Sequence, residues 1–192
     1  MALIDLPADD LVSYRFSLYP PPQESESALK TNFQLFHAAG ARWQVELSLR
    51  NLPDHRFASW SDLYIQGTSF LWPIPQPGFT PDNAGAPVVD GDNQLGTSLT
   101  LRGVTPGYTV SKDRWITVTT DGVARTYQMT QDAVASGTGA LVLSLNPMLI
   151  RAPSDGDAVE LVTPSLTGLI VFSSFERTAG FSRTAPFLLR QR

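Results

Sequence analysis

The chain has 192 residues, 42% hydrophobic and 17% charged, with a formal net charge of −4; it can hold one domain with a full core or two small ones, and its composition excludes a disordered chain. Cysteine is absent, which excludes disulfides and thiolate metal sites. The only run of bases is Arg190-Gln191-Arg192, so duplex DNA binding through phosphate neutralisation is disfavoured.

The first ten residues place acids where a secretion signal needs apolar length, and no apolar run approaches the ~20 residues that span a bilayer. The expectation is a protein made and assembled in the cytoplasm. Val12, Tyr14, Phe16 and Leu18 alternate with polar neighbours, which predicts a first strand. Pro20-Pro21-Pro22 and the polar residues up to Ser27 predict a long loop. Phe33, Leu35 and His37 mark a second strand. In the clearest strand, Trp43, Val45, Leu47 and Leu49 face one way and Arg42, Gln44, Glu46, Ser48 and Arg50 the other.

After Leu52, Pro53 suits a first helical position, and Phe57, Trp60, Leu63 and Tyr64 form an apolar stripe ended by Gly67. A helix flanking the sheet is expected there. Residues 70–92 are dense in Pro, Gly, Asp and Asn and read as an extended connection without regular elements. Short strands then recur: Leu99–Val104, Trp115–Thr119, Ala124–Thr130, Ala140–Leu145 and Ala158–Val162, separated by turn signals such as Asp121-Gly122. Such spacing predicts a small barrel or sandwich. Leu166–Phe172 and a C-terminal segment, Phe181–Leu189, return to the first sheet. The organisation expected is residues 1–84 plus 165–192 as one β-sandwich, with 85–164 as an inserted small β domain.

The search for chemistry finds little. His37 and His55 lack partners at metal-ligand spacing. Gly137-Thr138-Gly139 reads as a hairpin turn, since no Lys follows and no helix opens. Asp90, Asp92 and Asn93 around Gly91 lack the ligand pattern and terminal Glu of a calcium loop. Asp155, Asp157 and Glu160 read as solvated acids rather than a catalytic pair. Trp43 and Trp60 fall on inner faces, whereas Trp72, before a proline, is the best candidate for an exposed aromatic.

The order of these blocks carries a resemblance. Met1-Ala2-Leu3-Ile4-Asp5-Leu6-Pro7 comes first, then Gly40-Ala41-Arg42-Trp43, then Leu52–Gly67 leading to Phe70-Leu71-Trp72. Pro87-Val88-Val89-Asp90-Gly91 follows, with Gln94, Gly96, Leu99, Arg102 and Gly103. Gly137–Leu145, Asn146-Pro147, Leu149, Arg151, Asp155-Gly156, Val159-Glu160 and Pro164 complete the series. In this order the chain resembles the distal tail (baseplate hub) proteins of long-tailed siphophages and related gene-transfer particles. Lys112-Asp113-Arg114-Trp115 stands where such proteins often carry a Pro-Gly-Asp-Trp-like sequence.

The resemblance implies a mainly β protein with a tail-tube-like sandwich, one flanking helix and an inserted small barrel or sandwich. It implies a structural virion protein of the tail tip, with no enzymatic activity and no cofactor. Its partners would be copies of itself in a ring, usually of six, the tail tube protein, and the tip hub and fibres, with no membrane or specific nucleic acid. Arg42, Gln44, Glu46 and Arg50 are the expected subunit contacts. Trp72, Asp82, Asn83, Asp90, Asp92, Asn93 and Gln94 are the expected inter-ring or hub contacts. Other readings are a tube or terminator subunit, or a carbohydrate- or receptor-binding fibre module using Trp115, Tyr108 and Tyr127. A wall hydrolase using the acids near 155–160 is a remote further one.

Overall fold

The computed structural model describes residues 4–5, 11–20, 23–26, 33–36, 40–49, 69–79, 83–172 and 185–191. Among these the protein is mainly β, without a helix. In chain order the strands are β1 (Ile4–Asp5), β2 (Leu11–Tyr19), β3 (Gln23–Glu26), β4 (Phe33–Phe36), β5 (Arg42–Leu49), β6 (Ser69–Pro73), β7 (Gly85–Val89) and β8 (Ser98–Val104). There follow β9 (Thr109–Val110), β10 (Trp115–Thr120), β11 (Val123–Met129), β12 (Ala133–Val134), β13 (Leu141–Asn146), β14 (Val159–Glu160), β15 (Ser165–Phe172) and β16 (Ala185–Gln191).

Two six-stranded sheets organise the described residues. The first runs β1-β6-β15-β16-β5-β2 and is antiparallel except for the β1–β6 pair. Its β5 alternates as the sequence pattern requires: Trp43, Val45 and Leu47 are buried, while Arg42 and Glu46 are exposed. Register places Phe16 opposite Val45, and Val45 opposite Leu189, so one face collects the apolar side chains. The sheet curls about that face. Trp72 on β6 reaches Tyr14 and Phe16 on β2, at 5.5 and 5.8 Å between ring centroids, although three strands lie between β6 and β2.

The second sheet runs β14-β10-β11-β13-β8-β7 and draws only on residues between β6 and β15. An antiparallel bridge between Val88 and Ala158 joins its two ends. Val89 N donating to Asp157 O (2.9 Å) and Gly156 N donating to Val89 O (3.0 Å) reinforce it, giving a nearly closed barrel. Leu141, Leu143 and Leu145 point inward in turn, beside Leu99, Leu101, Ile116, Val118, Tyr127 and Met129. Each such side chain contributes roughly 1.5–3 kcal/mol of burial. The Asp121-Gly122 turn joins β10 to β11 as expected, with both residues at positive φ (51° and 70°) and Thr120 paired with Val123.

Two local expectations need correction. Gln23–Glu26, read as loop, forms β3 and pairs with β4; the prolines end at Pro22, so every residue after them can donate to a ladder. Residues 70–92, read as lacking elements, contain β6 and β7. Pro87 is tolerated because β7 shifts register between Gly85 and Val88, where a ladder donor is dispensable. The helix expected over 52–67 lies outside the described residues, as do His37 and His55.

The same irregularity brings two backbones together. Gly103 on β8 has φ +76°, and a Cβ there would lie 2.5 Å from the carbonyl oxygen of Ala86. Gly103→Ala should therefore cost about 1–3 kcal/mol, several degrees in a thermal melt. Gly91→Ala should cost less, because a Cβ at Gly91 meets nothing within 4 Å. Equal melting temperatures for wild type and Gly103→Ala would contradict this packing.

Candidate functional site

Three features of the fold can do chemical or mechanical work: the seam of the barrel, the junction between the sheets, and the groove beside that junction.

At the seam, the turn after β7 faces the turn before β14. Arg102 projects from β8 between them. Its Nη1 donates to Val89 O (3.0 Å), to Asp90 Oδ1 (3.1 Å) and to Asp155 Oδ1, while Nη2 donates to Asp155 Oδ2 (3.1 Å). Asp155 Oδ1 also accepts from Gly91 N (2.8 Å), and Asp155 N donates to Asp92 Oδ1 (2.7 Å). Gln94 completes the clasp, with Nε2 donating to Asp90 O (2.9 Å) and Oε1 accepting from Thr100 N (2.6 Å). The bidentate Arg102 pair and the Gly91 amide hold the Asp155 carboxyl at about 2, below the ordinary Asp value of 3.8. Arg102 is raised correspondingly by the same carboxylates.

Of the residues expected to make inter-ring or hub contacts, Asp90, Asp92 and Gln94 take part in this clasp, with Asp90 and Asp92 remaining exposed. Asn93 is exposed at φ 60°, and Asn83 Oδ1 accepts from Gly85 N (3.1 Å). Asp82 and Arg50 lie outside the described residues. Trp72, expected at the surface, is 1% exposed: the curl of the first sheet encloses it. On the outer face of that sheet, Arg42 and Glu46 are exposed. Gln44 Oε1 accepts from Arg190 Nε (3.2 Å) and Nη2 (3.1 Å).

The acids near 155–160 serve local backbone. Asp157 Oδ2 accepts from Ser154 N (2.9 Å), and Glu160 Oε1 from Val162 N (2.8 Å) and Thr163 N (2.9 Å). Among the described residues no group of three or more His, Asp or Glu is placed to hold a metal ion. Tyr127 and Tyr108, weighed as sugar-stacking rings, are 1% and 8% exposed.

The junction was not legible in the sequence. Ser165, the first residue of β15, offers its carbonyl to two hydroxyls, Thr117 Oγ1 (3.1 Å) and Thr126 Oγ1 (2.8 Å). Its N–H donates back to Thr117 Oγ1 (2.9 Å). Thr117 and Thr126 are direct cross-strand partners on β10 and β11. In the orientation that satisfies both its groups, the Gln191 amide donates to Thr126 O (3.3 Å) and accepts from Thr126 N (3.0 Å). Trp115 crosses from the barrel into the open end of the first sheet. It stacks on Phe16 (4.2 Å, 27°) and meets Trp43 edge-on (4.8 Å, 73°).

Beside Trp115 lies a groove of about 590 Å³. Tyr14, Phe16 and Trp43 form one side, Pro75, Gln76 and Pro77 another, and Lys112, Asp113, Arg114, Trp115 and Gln128 the barrel side. Gln76 Oε1 accepts from Trp115 N (3.1 Å), and the Arg114 guanidinium lies 3.5 Å from the centre of the Phe79 ring. Burial pushes the Arg114 pKa down from its ordinary value.

No protein-family model and no curated protein matches the chain.

The clasp makes a pH prediction. Asp155 has a depressed folded pKa, so its stabilisation is complete above an ordinary carboxylate value and is lost as pH falls toward about 2. Melting temperatures followed from about pH 5 downward should fall more steeply for wild type than for Asp155→Asn, which lacks the titrating group. Parallel curves would contradict the clasp. At the junction, Trp115→Ala should cost about 3–5 kcal/mol. A melt within a degree of wild type would show that the ring does not bind the sheets together.

Proposed function

We propose that this chain is a structural, ring-forming subunit of a phage tail tip, of the distal tail type. In this reading the first sheet belongs to a tail-tube-like β-sandwich that sits in the ring, with residues 85–164 as an inserted β domain. The ring joins the tail tube to the hub and fibres, and the protein works in the virion with no reactive centre.

One observation carries the reading. The motif residues behind the resemblance are scattered in sequence, yet Asp90, Gly91, Gln94, Arg102 and Asp155 meet at a single clasp. A set of residues that fixes a fold is what a family of shaped subunits would hold in common, whereas an enzyme's motif would gather at a pocket. The burial of Tyr108 and Tyr127 weighs against a fibre module that stacks sugars on the barrel. A rigid subunit of this kind closes a ring through heterologous contacts. The exposed outer face with Arg42 and Glu46 is the proposed contact surface.

Mass photometry and negative-stain imaging of the purified protein should show closed rings of uniform diameter. Arg42→Glu should shift the population toward monomer, with the far-ultraviolet circular dichroism unchanged. A protein that stays monomeric at high concentration and is missing from purified particles would overturn the proposal.

A further inference from the structure

The groove between the sheets has a chemical character that the ring reading does not use. We propose that it is a binding site for an acidic sugar, a polyhydroxylated carboxylate of one or two rings.

Size comes first. About 590 Å³ lies within the roughly 300–1,000 Å³ typical of small-ligand sites. The walls come next. Tyr14 is 39% exposed and faces the groove together with Pro75 and Pro77. Ring and pyrrolidine surfaces of this kind suit the C–H face of a pyranose, which is apolar although its rim is polar.

The unmet polar groups then fix the charge. Arg114 Nη1 and Trp43 Nε1 are buried without a hydrogen-bond partner, and Trp43 is only 6% exposed. An unpaired buried donor costs roughly 1–3 kcal/mol, and both side chains belong to residues that line the groove. Lys112 adds a cation with no ion pair among the described residues. A carboxylate answers that set, as a charge-assisted acceptor for Arg114 and Lys112. Acceptors stand on the same wall. The Asp113 carboxylate and Gln128 Oε1 take no hydrogen bond among the described residues; Gln128 uses only its Nε2, toward Asp113 O (3.4 Å). A simple anion would leave these two unused, while sugar hydroxyls can donate to both. Asp113 is held toward this rim by a backbone at φ 66°.

The site draws on both sheets, so it exists only in the full chain, and it is independent of whether the protein forms a ring. Trp43 and Trp115 line it and report on it. Titrating the full-length protein with digalacturonate should quench or shift tryptophan fluorescence saturably. Neutral lactose should bind at least about tenfold more weakly, the difference expected from one charge-assisted contact. Lys112→Gln, at an exposed position, should weaken digalacturonate about tenfold with no change in melting temperature. Arg114→Gln should weaken it further. Galacturonic acid monomer against the dimer tells a free acid from a chain unit, and either one binding supports the proposal. No saturable signal at millimolar digalacturonate, equal affinity for lactose, or tighter binding of a tetraglutamate peptide would each overturn it. So would a Lys112→Gln protein that binds as well as wild type.

Discussion

The backbone of Ser165 is the constraint on which the arrangement of the two sheets depends. It is the residue at which the chain leaves the barrel and enters the first sheet, and its carbonyl and amide are both committed to the barrel. The acceptors and donors concerned are the hydroxyls of Thr117 and Thr126, which a strand pair presents side by side. Because Ser165 is also paired with Pro73 in the first sheet, any movement of one sheet against the other must break bonds in a partly buried setting. Breaking them would leave polar groups unsatisfied, which is where hydrogen bonds matter most. Trp115 acts with this anchor: its ring is placed inside the first sheet while its backbone N–H donates to Gln76 Oε1.

This double commitment explains a pattern that otherwise looks irregular. A strand of a small barrel should alternate between buried and exposed residues, as β13 does. Strand β10 does not: Trp115, Ile116, Thr117 and Val118 are all buried. Its inward residues fill the barrel core, and its outward residues meet the first sheet. Threonine suits that outer position because it is β-branched for the strand and carries a hydroxyl for the junction.

How far the sequence reveals this fold follows from the range of the interactions involved. Period-two alternation is local, so β2, β5, β8 and β13 were visible in it, as was the Asp121-Gly122 hairpin. The β6 and β7 strands are hidden because a high density of proline and glycine argues against a ladder, whereas short strands fit between and around the prolines. The clasp was half visible. Asp90, Asp92, Gln94, Arg102 and Asp155 can be singled out, but nothing local tells that they close a seam between turns some sixty residues apart. The burial of Trp72 is equally hidden from its neighbours in sequence, since it comes from the curl of a whole sheet. Gln76, Thr117, Thr126 and Gln191 carried no signal, being ordinary polar residues until the topology brings them together.

The proposed role as a ring subunit rests on rigidity: a brick whose two parts swivel cannot set a diameter. Native-state amide hydrogen exchange tests that rigidity most directly. The account predicts that the Ser165 and Thr126 amides exchange as slowly as the β10–β11 ladder amides and open together with them in one cooperative step. Exchange of Ser165 at the rate of an exposed turn, while the barrel ladder stays protected, would contradict it.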